Sequence, residues 1–407
     1  MSNLNFTIPS KAKMFTYVLM AIGVISIIAA FLTDKAPEGD HHYHQNRAWA
    51  NIFINSFFFM AIGLAAAFFL GLQYAAEAGW ATTIKRIIEA VAWYLPYGLS
   101  FLFLMFILGQ LHVHHIYHWM AEGIADKGSE NYDAIIAAKM GYFGWFWWLR
   151  SILYMVGWLF FTWKLRKNSM EADNAIGTDT HHWKNVKLSA WFMVLFAVTS
   201  STSAWDWLMS IDTHWFSTLY GWYVFAGMWI SAIITIIMLI VWLKRLGYME
   251  FVTESTIHDM GKWMFAISFL WTYLYFSQFM LIWYSDIPEE IIYFQERWEN
   301  FKPLMWTVLG VNFAFPMVML MSRDAKRNFW FLTIVGSIIF IGHWLDIIMI
   351  VMPGTVGHHW TGLSWMEFGI FAGFLGLFIN VILRNLASRP LLVKNHPYLD
   401  EAMHHTT

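Results

Sequence analysis

The chain of 407 residues is 58% hydrophobic and only 13% charged, with a mean hydropathy of +0.48, whereas about a quarter of the residues in an ordinary soluble domain are charged. This composition excludes a soluble globular protein and indicates an integral membrane protein. The net charge of −2 gives no sign of a nucleic-acid partner. The absence of cysteine excludes disulfides, thiolate catalysis, cysteine-bound iron–sulfur clusters and covalently attached haem c in this chain.

Ten apolar stretches have about the 20 residues that a helix needs to cross the hydrocarbon core of a bilayer. They cover residues 15–33, 49–77, 84–110, 142–164, 186–209, 218–246, 257–283, 301–322, 328–352 and 364–386. The first stretch lacks a small-x-small cleavage site, so we expect an uncleaved helix rather than a signal peptide. Pro96, Pro303 and Pro316 predict kinks. The sequence therefore predicts a single all-α polytopic membrane domain over residues 1–407, in contact with membrane lipid.

The charged residues are distributed unevenly between the two sides that these ten stretches define. If both termini are cytoplasmic, 18 of the 25 lysines and arginines fall on the inner side and 7 on the outer side. An excess of basic residues in cytoplasmic loops is typical of membrane proteins. The acids divide as 11 inside and 16 outside, so the inner side carries +7 and the outer side −9. We therefore expect a plasma-membrane protein with both termini in the cytoplasm.

Two tryptophan-flanked acids suggest an internal duplication. The strings SSTSAWDWLMSIDTHWF (200–216) and GHWLDIIM (342–349) each place an acid near the outer end of an inside-to-outside helix. If residues 49–209 and 218–352 form two similar four-helix bundles, Asp206 and Asp346 lie at matching depth in the last helix of each. Coincidence is the alternative explanation.

Ionisable groups inside hydrocarbon are costly and mark a pathway or a site by default. His343 and Asp346 are three residues apart and share one helix face, where an imidazole beside a carboxylate can relay a proton. The alternative is that the acids only bind tryptophan N–H groups or backbone, and that the serines only pack helices. The candidate residues for a proton route are Asp206, His343, Asp346, Glu89, Glu367, Ser200, Ser203 and Asn312.

Ten of the 17 histidines fall in or beside the outer loops, namely His41, His42, His44, His112, His114, His115, His118, His214, His358 and His359. His114 and His118 have the i, i+4 spacing of a metal site, but the further histidine boxes of a membrane di-metal enzyme are missing. A b-type haem needs two facing histidines at membrane depth, and only His343 lies well inside a span. We therefore expect no metal, and we favour a proton-conducting or partner-binding outer face that includes His112, His114, His115 and His214.

The seventh stretch and its exit, GKWMFAISFLWTYLYFSQFMLIWYSDIPEE (261–290), are unusually aromatic. Tyr273, Tyr275, Gln278 and Tyr284 combine flat rings with a few hydrogen-bonding groups, as a quinone pocket would. Aromatic side chains at helical spacing also occur in cores and in lipid-facing belts. These four residues are therefore candidates either for a quinone pocket or for a partner-binding face.

Four strings resemble those of one known family. SAWDWLMSIDTHWFSTLYGWYVFAG (203–227), WTYLYFSQFMLIWYSDIPEE (271–290), GHWLDIIM (342–349) and PGTVGHHW (353–360) are similar to the second NrfD-like, quinone-subunit-type membrane protein of bacterial alternative complex III, a quinol:cytochrome c oxidoreductase. The resemblance covers most of the chain, from the second stretch to the tenth. It implies a polysulfide-reductase-type fold of ten transmembrane helices, with two four-helix bundles and one peripheral helix at each end.

The resemblance also implies a location in the bacterial inner membrane and a set of partners. These are a homologous NrfD-like subunit, an iron–sulfur protein, c-type cytochrome subunits and the quinol pool. In the family, the sister subunit lies against the iron–sulfur protein and is the better candidate for quinol oxidation. The resemblance therefore implies an auxiliary subunit with no bound cofactor of its own, a quinone or quinol as its candidate ligand, and a proton route at Asp206, His343 and Asp346. A proton-coupled secondary transporter and a purely structural scaffold are the alternatives.

Overall fold

The computed structural model describes residues 4–35, 45–175 and 177–406. In these residues the chain forms sixteen α-helices, joined by turns and short 3-10 segments, and one isolated β-bridge pairs Asn5 with Pro390. The predicted all-α architecture is confirmed. His41, His42 and His44, which the sequence places in the outer histidine set, lie outside the described residues.

Eight long helices form most of the fold. They are α1 (Ser10–Thr33), α2 (Asn46–Ala75), α6 (Trp145–Ala172), α7 (Thr180–Trp207), α8 (Tyr220–Arg245), α9 (Glu254–Ser285), α14 (Phe329–Thr355) and α15 (Trp365–Ala387). Shorter helices complete it: α3 (Lys85–Ala92), α4 (Leu95–Gln110), α5 (Ala134–Lys139), α10 (Pro288–Asn300), α11 (Lys302–Leu309), α12 (Phe315–Met319), α13 (Arg323–Arg327) and α16 (Leu399–Met403). Each of the ten predicted stretches corresponds to one helix or to a series of consecutive helices.

Eight helical segments of the described residues are long and apolar enough to cross a membrane. They are α1, α2, the series Trp80–Gln110, Thr180–Ile211, α8, α9, α14 and α15. A ninth is added if α10 and the segment Lys302–Met319, which are bent by 99° to each other, form one broken span. Helix α6 is not among them although it contains 28 residues. The protein is thus a polytopic helical membrane protein, and the count of ten spans stays a prediction.

Proline residues begin new helical segments where the sequence predicts kinks. Pro96 lies in the first turn of α4, after a break at Trp93 and Tyr94 that separates α4 from α3. Pro303 occupies the first turn of α11, and Pro316 follows a π-helix over Gly310–Ala314. A proline is favourable in a first turn, because the N–H that it lacks would have no partner there.

Helices α2, α8 and α14 form the centre of the fold. Most residues in the apolar part of each are buried, whereas most of those in α1, α7 and α9 are not. Helix α2 packs against α3, α4 and α7 and also against α8, α14 and α15. Helix α8 in turn packs against α9 and α14. A helix that is apolar all round is buried in the interior of a large protein, and these three helices position the buried polar groups described below.

Helices α1 and α15 form an antiparallel pair at the periphery. A Cβ atom added at Gly23 would overlap the backbone of Gly373, and one at Gly376 would overlap Leu19 and Met20. Asn380 donates a hydrogen bond to the Thr16 hydroxyl at 2.9 Å. Small residues let two membrane helices approach closely, and a polar pair of this kind adds to the association.

The segment after α15 contacts the ends of several helices. The Leu391 N–H donates to the Leu4 carbonyl, and Asn395 donates to carbonyls of the loop between α6 and α7. Further along, the Tyr398 hydroxyl contacts Glu77 at 3.0 Å and His405 contacts Asp259 at 2.6 Å. We call residues 390–406 the C-terminal segment; it ties together the loops that follow α2 and α6 and the start of α9.

Candidate functional site

Two of the buried carboxyl groups, Asp206 and Asp346, have different kinds of partner. We call Asp206 with Arg150 and Tyr154 the Asp206 centre. We call Asp346 with Tyr223, Trp271 and His343 the Asp346 centre. Asp206 lies in the last turn of α7, whereas Asp346 lies nine residues before the end of α14.

Asp346 is held by neutral donors from two neighbouring helices. The Tyr223 hydroxyl on α8 donates to Oδ1, and the Trp271 Nε1–H on α9 donates to Oδ2 at 3.1 Å. The side chain is buried, with 3% of the residue exposed. Among the residues that the structure describes, no lysine, arginine or histidine forms an ion pair with it. Asp346 is therefore a carboxyl group in the protein interior with no positively charged partner among these residues.

His343 lies one turn before Asp346 on the same face of α14. It is buried, and its ring stands edge-on to Trp271 with the ring centres 5.4 Å apart. Neither ring nitrogen has a hydrogen-bond partner within the described part of the chain. Neutral imidazole carries one donor and one acceptor, and buried polar atoms without partners are rare in folded proteins. The structure thus brings the predicted His343 and Asp346 against one shared residue, Trp271.

Asn312 contacts α14 immediately beside His343. It belongs to the π-helix Gly310–Ala314 and is fully buried, and its amide oxygen and nitrogen have no hydrogen-bond partner among the described residues. A Cβ atom at Gly342 would overlap the Asn312 Oδ1 atom. Only a glycine at position 342 therefore allows this approach. π-Helices occur frequently at functional sites, and this one presents an amide to the stretch of α14 that carries His343 and Asp346.

Asp206, in contrast, forms a bidentate ion pair. Arg150 on α6 donates from Nε to Oδ2 at 2.8 Å and from Nη2 to Oδ1 at 2.7 Å, and the Tyr154 hydroxyl donates to Oδ2 at 2.9 Å. The guanidinium also lies 3.8 Å from the Tyr142 ring centre. Paired donors of this geometry give the strongest carboxylate contacts in proteins. The sequence places Arg150 among the outer-side charges and does not predict this pairing.

The serines near Asp206 bond to their own helix. The Ser203 hydroxyl donates to the Ser200 carbonyl at 3.1 Å. Ser210 likewise donates to the Asp206 carbonyl at 2.6 Å. Serine and threonine hydroxyls inside helices commonly bond back to the preceding turn. Ser203 therefore has the contacts of the packing alternative, and Ser200 is buried one turn before it.

Glu367 and Glu89 each have an arginine partner. Arg47 contacts Glu367 at 2.8 and 3.0 Å, and Glu367 also closes the capping box that begins α15. Arg86 contacts Glu89 at 2.6 Å and also pairs with Asp173. Both acids thus have local structural partners, at opposite ends of the helices, and the structure does not bring either of them to the Asp346 centre.

The outer histidines that the structure describes do not form one cluster. His114 is buried and its Nε2 atom lies 2.9 Å from the Met105 carbonyl oxygen; burial lowers the pKa of this imidazole to about 4. His115 is half-buried beside it, His112 lies 3.8 Å from Glu122, and His214 contacts Asp133 at 2.7 Å. No group of three or more potential metal ligands occurs in the described residues.

The predicted aromatic set on α9 is divided between two faces. Tyr273 and Tyr284 point away from the protein, with 59% and 82% of each residue exposed. Gln278 is buried, and Tyr275 stacks on Trp271 with ring centres 5.5 Å apart. The structure therefore separates the four residues, and of these only Tyr275 has a ring contact with the Asp346 centre.

Arg297 is a further buried residue that the sequence does not single out. Pro353 lies inside α14 and has no N–H to donate to the Met349 carbonyl one turn earlier. Arg297 donates to this carbonyl at 3.2 Å and to Ile350 at 3.3 Å, and it also pairs with Asp212 at 3.1 Å. The guanidinium thus replaces the bond that the proline removes, and it fixes the outer end of α14 above Asp346.

Comparison with known proteins adds no family assignment. No family model matches the chain, and no curated protein sequence is significantly similar to it. The functional interpretation therefore depends on the geometry of the buried groups and on the resemblance of the four strings.

Proposed function

We propose that this protein is a cofactor-free membrane subunit of a bacterial respiratory quinol:cytochrome c oxidoreductase, in which the Asp346 centre carries a proton within the membrane. The proposal includes ten transmembrane helices in two four-helix bundles with a peripheral helix on each side, and a location in the bacterial inner membrane with cytoplasmic termini. The partners are a homologous NrfD-like subunit, an iron–sulfur protein and c-type cytochrome subunits, which hold the redox centres.

The absence of a cation beside Asp346 in the described part of the chain is the observation that supports this proposal. Removing a carboxylate from water costs several kcal/mol unless a partner compensates it. Tyr223 and Trp271 supply two hydrogen bonds to Asp346 but no charge. An acid that is kept in a membrane interior under these conditions is a functional candidate by default. Asp206, Glu89 and Glu367 all have an arginine partner and lack this property.

The neighbours of Asp346 have the chemistry of a proton route. A carboxyl group can accept or release a proton, and the His343 imidazole one turn away offers one donor and one acceptor. Asn312 presents two further atoms without partners among the described residues next to Gly342, and a buried water typically bonds to polar atoms of this kind. In the proposed topology α14 runs from the inner side outward. A proton that moves outward along the route therefore reaches Asn312 first, then His343 and then Asp346.

The chain itself contains no residue type that binds an iron–sulfur cluster through sulfur. Electrons from a quinol would therefore pass to the partner subunits, while this subunit handles protons. Tyr275 and Gln278 are the two members of the predicted quinone set that face the protein interior on α9. In this proposal they are the residues through which a quinone ring would reach the Asp346 centre.

Purification of the intact assembly tests the complex. The protein would be extracted from its native membrane in a mild detergent, and the copurifying subunits would be identified together with their visible spectrum. We expect haem c absorption and an iron–sulfur subunit. A colourless protein that purifies alone and transports a solute in proteoliposomes would overturn the proposal.

The Asp346→Asn variant tests the proton route within the assembled complex. Asparagine retains the size of the side chain but cannot release a proton. We expect quinol-driven turnover or proton release to fall while the subunit composition is unchanged. Asp286→Asn, which changes an exposed acid at the end of α9, is the matched control and should behave like the wild type. Unchanged turnover and unchanged proton release in Asp346→Asn would exclude the route.

Proton-coupled secondary transport is the alternative, because transporters use interrupted helices at their binding sites. Two series are interrupted here, α3–α4 and α11–α12. In the proposed bundles, α3–α4 is the second helix of the bundle over residues 49–209. The series α11–α12 is the third helix of the bundle over residues 218–352. Transporters of this type have interruptions in corresponding positions, so the arrangement favours the electron-transfer subunit.

A further inference from the structure

A polar cavity lies at one end of the protein, where the end of α2, the start of α3, the start of α7 and the C-terminal segment meet. Its volume is about 20 Å³, and Tyr74, Glu77, Thr82, Lys85, His182, His396 and Tyr398 contribute to its walls. A volume of this size accommodates a particle about as large as one water molecule. None of these residues belongs to the Asp206 or Asp346 centre.

Lys85 is a buried cation in this cavity. Only 7% of the residue is exposed, and its Nζ atom lies 4.3 Å from the centre of the Tyr74 ring. No carboxylate in the described part of the chain lies within ion-pair distance of it. The aromatic ring compensates part of the charge, but an ammonium group carries three donors. The cavity therefore contains a largely buried lysine that lacks an anionic partner among the described residues.

His182 adds a hydrogen-bonding group to the same cavity. With 6% of the residue exposed, neither of its ring nitrogens has a hydrogen-bond partner among the described residues. Its ring stands edge-on to His396 at 4.8 Å and to Tyr398 at 5.4 Å. A neutral imidazole has one N–H to donate, so His182 can supply a donor next to the Lys85 cation.

The remaining titratable groups do not compensate Lys85. Burial, followed by the nearby charge of Lys85 and the neighbouring His182, lowers the pKa of His396 to about 2, so this imidazole stays neutral. Its Nδ1 atom accepts a hydrogen bond from the Tyr398 N–H at 3.3 Å. Glu77 is exposed and accepts the Tyr398 hydroxyl hydrogen bond at 3.0 Å.

We propose that this cavity binds a small inorganic anion of about the size of chloride, held by the Lys85 ammonium group and the His182 N–H. The Lys85 charge favours an anion, and the small volume of the cavity favours a monatomic one. This inference goes beyond the proposed function and does not depend on it. Because Tyr398 and His396 belong to the C-terminal segment, the bound anion also stabilises the contact between that segment and α2, α3 and α7.

Thermal unfolding in detergent tests the site. The purified protein would be titrated with sodium chloride or sodium bromide that replaces sodium gluconate at constant ionic strength, with tryptophan fluorescence as the readout. A ligand that binds only the folded state raises the unfolding midpoint with its concentration. We expect the wild-type midpoint to rise with chloride, and the Lys85→Met variant to lose this response.

Lys187→Met is the matched control, because Lys187 is an exposed lysine on α7 toward the same end of the protein. This variant should retain the wild-type response to chloride. Limited proteolysis provides a second readout: the C-terminal segment of the wild type should be cleaved faster in gluconate than in chloride. Lys85→Met should be cleaved at the faster rate in both salts.

Two results would overturn the site. One is an identical chloride response in the wild type and in Lys85→Met, and the other is a wild-type midpoint that does not distinguish chloride from gluconate. If Lys85→Met does not fold, His182→Phe replaces it, and a bromide soak locates the anion in the wild type directly by its anomalous signal. Absence of a bromide peak in the cavity would then refute the proposal, and none of these outcomes affects the test of quinol turnover.

Discussion

The Asp206 and Asp346 centres have similar sequence contexts and opposite electrostatics. Each acid is flanked by tryptophan, is buried, and accepts a hydrogen bond from a tyrosine hydroxyl on a neighbouring helix. At Asp206 a bidentate arginine supplies a full positive charge. At Asp346 the second donor is an indole N–H, which supplies none.

In the proposed function, this difference separates a structural acid from one that changes its charge. A carboxylate beside an arginine is stabilised in its ionised form, and losing that charge would leave the guanidinium uncompensated. A carboxyl group among neutral donors is held less firmly in one protonation state. Two acids in related strings can therefore have unrelated roles, and the partner residue decides which role is available.

The largest expected effect is the loss of Arg150. Arg150→Met leaves the Asp206 carboxylate buried without a counter-charge, which typically costs about 3–5 kcal/mol when a buried pair is broken. We expect a large decrease in the thermal unfolding midpoint in detergent. Asp206→Asn should cause a decrease of the same order, because it leaves Arg150 uncompensated.

Replacing both residues tests this explanation. The double variant Arg150→Met/Asp206→Leu removes both charges and should recover part of the lost stability, since apolar replacements of buried pairs are often neutral. A single Arg150→Met variant as stable as the wild type would show that the ion pair is not what holds α6 against α7.

Acidification is expected to lower the free energy of unfolding by up to about 3 kcal/mol through a histidine packed between α2 and α4. Each unit of pKa shift corresponds to 1.36 kcal/mol. His114 packs against Trp49 on α2, and burial lowers its pKa from 6.5 to about 4. Below pH 6.5 the unfolded chain therefore binds a proton that the folded chain does not. Stability should fall as the pH decreases from about 6.5 to about 4, and His114→Gln should lose this part of the pH dependence in unfolding experiments.

The exposed His112 provides the control for this experiment. His112→Gln should retain the wild-type slope of stability against pH, because it leaves His114 and its contacts with Met105 and Trp49 in place. If His114→Gln has the wild-type slope as well, the acid sensitivity originates elsewhere in the chain.

Asp346→Asn should lower stability by only about 1 kcal/mol, because the loss of a single hydrogen bond has about this effect. Asparagine can still accept from Tyr223 or Trp271, and no cation of the described residues is left uncompensated. The comparison of Asp206→Asn with Asp346→Asn in the same unfolding assay measures the difference between the two centres directly. Equal losses in the two variants would contradict the electrostatic distinction between the two centres.

Tyr223→Phe should have the smallest effect, about 1 kcal/mol or less, since it removes one neutral hydrogen bond from Asp346. The effects of substitutions on the free energy of unfolding are generally not additive when the two residues are in contact. The double variant Tyr223→Phe/Asp346→Asn should therefore cost less than the two single variants together. Strict additivity in this double-mutant cycle would indicate that the Tyr223 hydroxyl and Asp346 do not interact.

Most of the helical framework could be predicted from the sequence, because apolar runs of membrane length are a local property. The runs at 218–246 and 328–352 correspond closely to α8 and α14. Helix α10, over Pro288–Asn300, could not be predicted in this way, because its residues precede the stretch 301–322 and belong to none of the ten apolar stretches. Hydropathy identifies only helices that are apolar over a membrane length.

The candidate site was only partly predictable, for a different reason. His343 and Asp346 are neighbours on one helix, so their spacing identifies them as a pair. Tyr223 and Trp271 lie 123 and 75 residues away from Asp346 in the chain, and their contacts depend on how α8 and α9 pack against α14. The position of Arg150 near the outer loops indicates its depth but not the direction of its side chain.

The pairing of α1 with α15 has a consequence for how the protein is made. Gly23 meets Gly373, about 350 residues later in the chain. At the usual synthesis rate of about 5–20 residues per second, α15 is synthesised roughly 20–70 s after α1. During this interval its small-residue face is open to other helices in the membrane, so biogenesis must either shield α1 or allow it to dissociate from transient neighbours before α15 inserts.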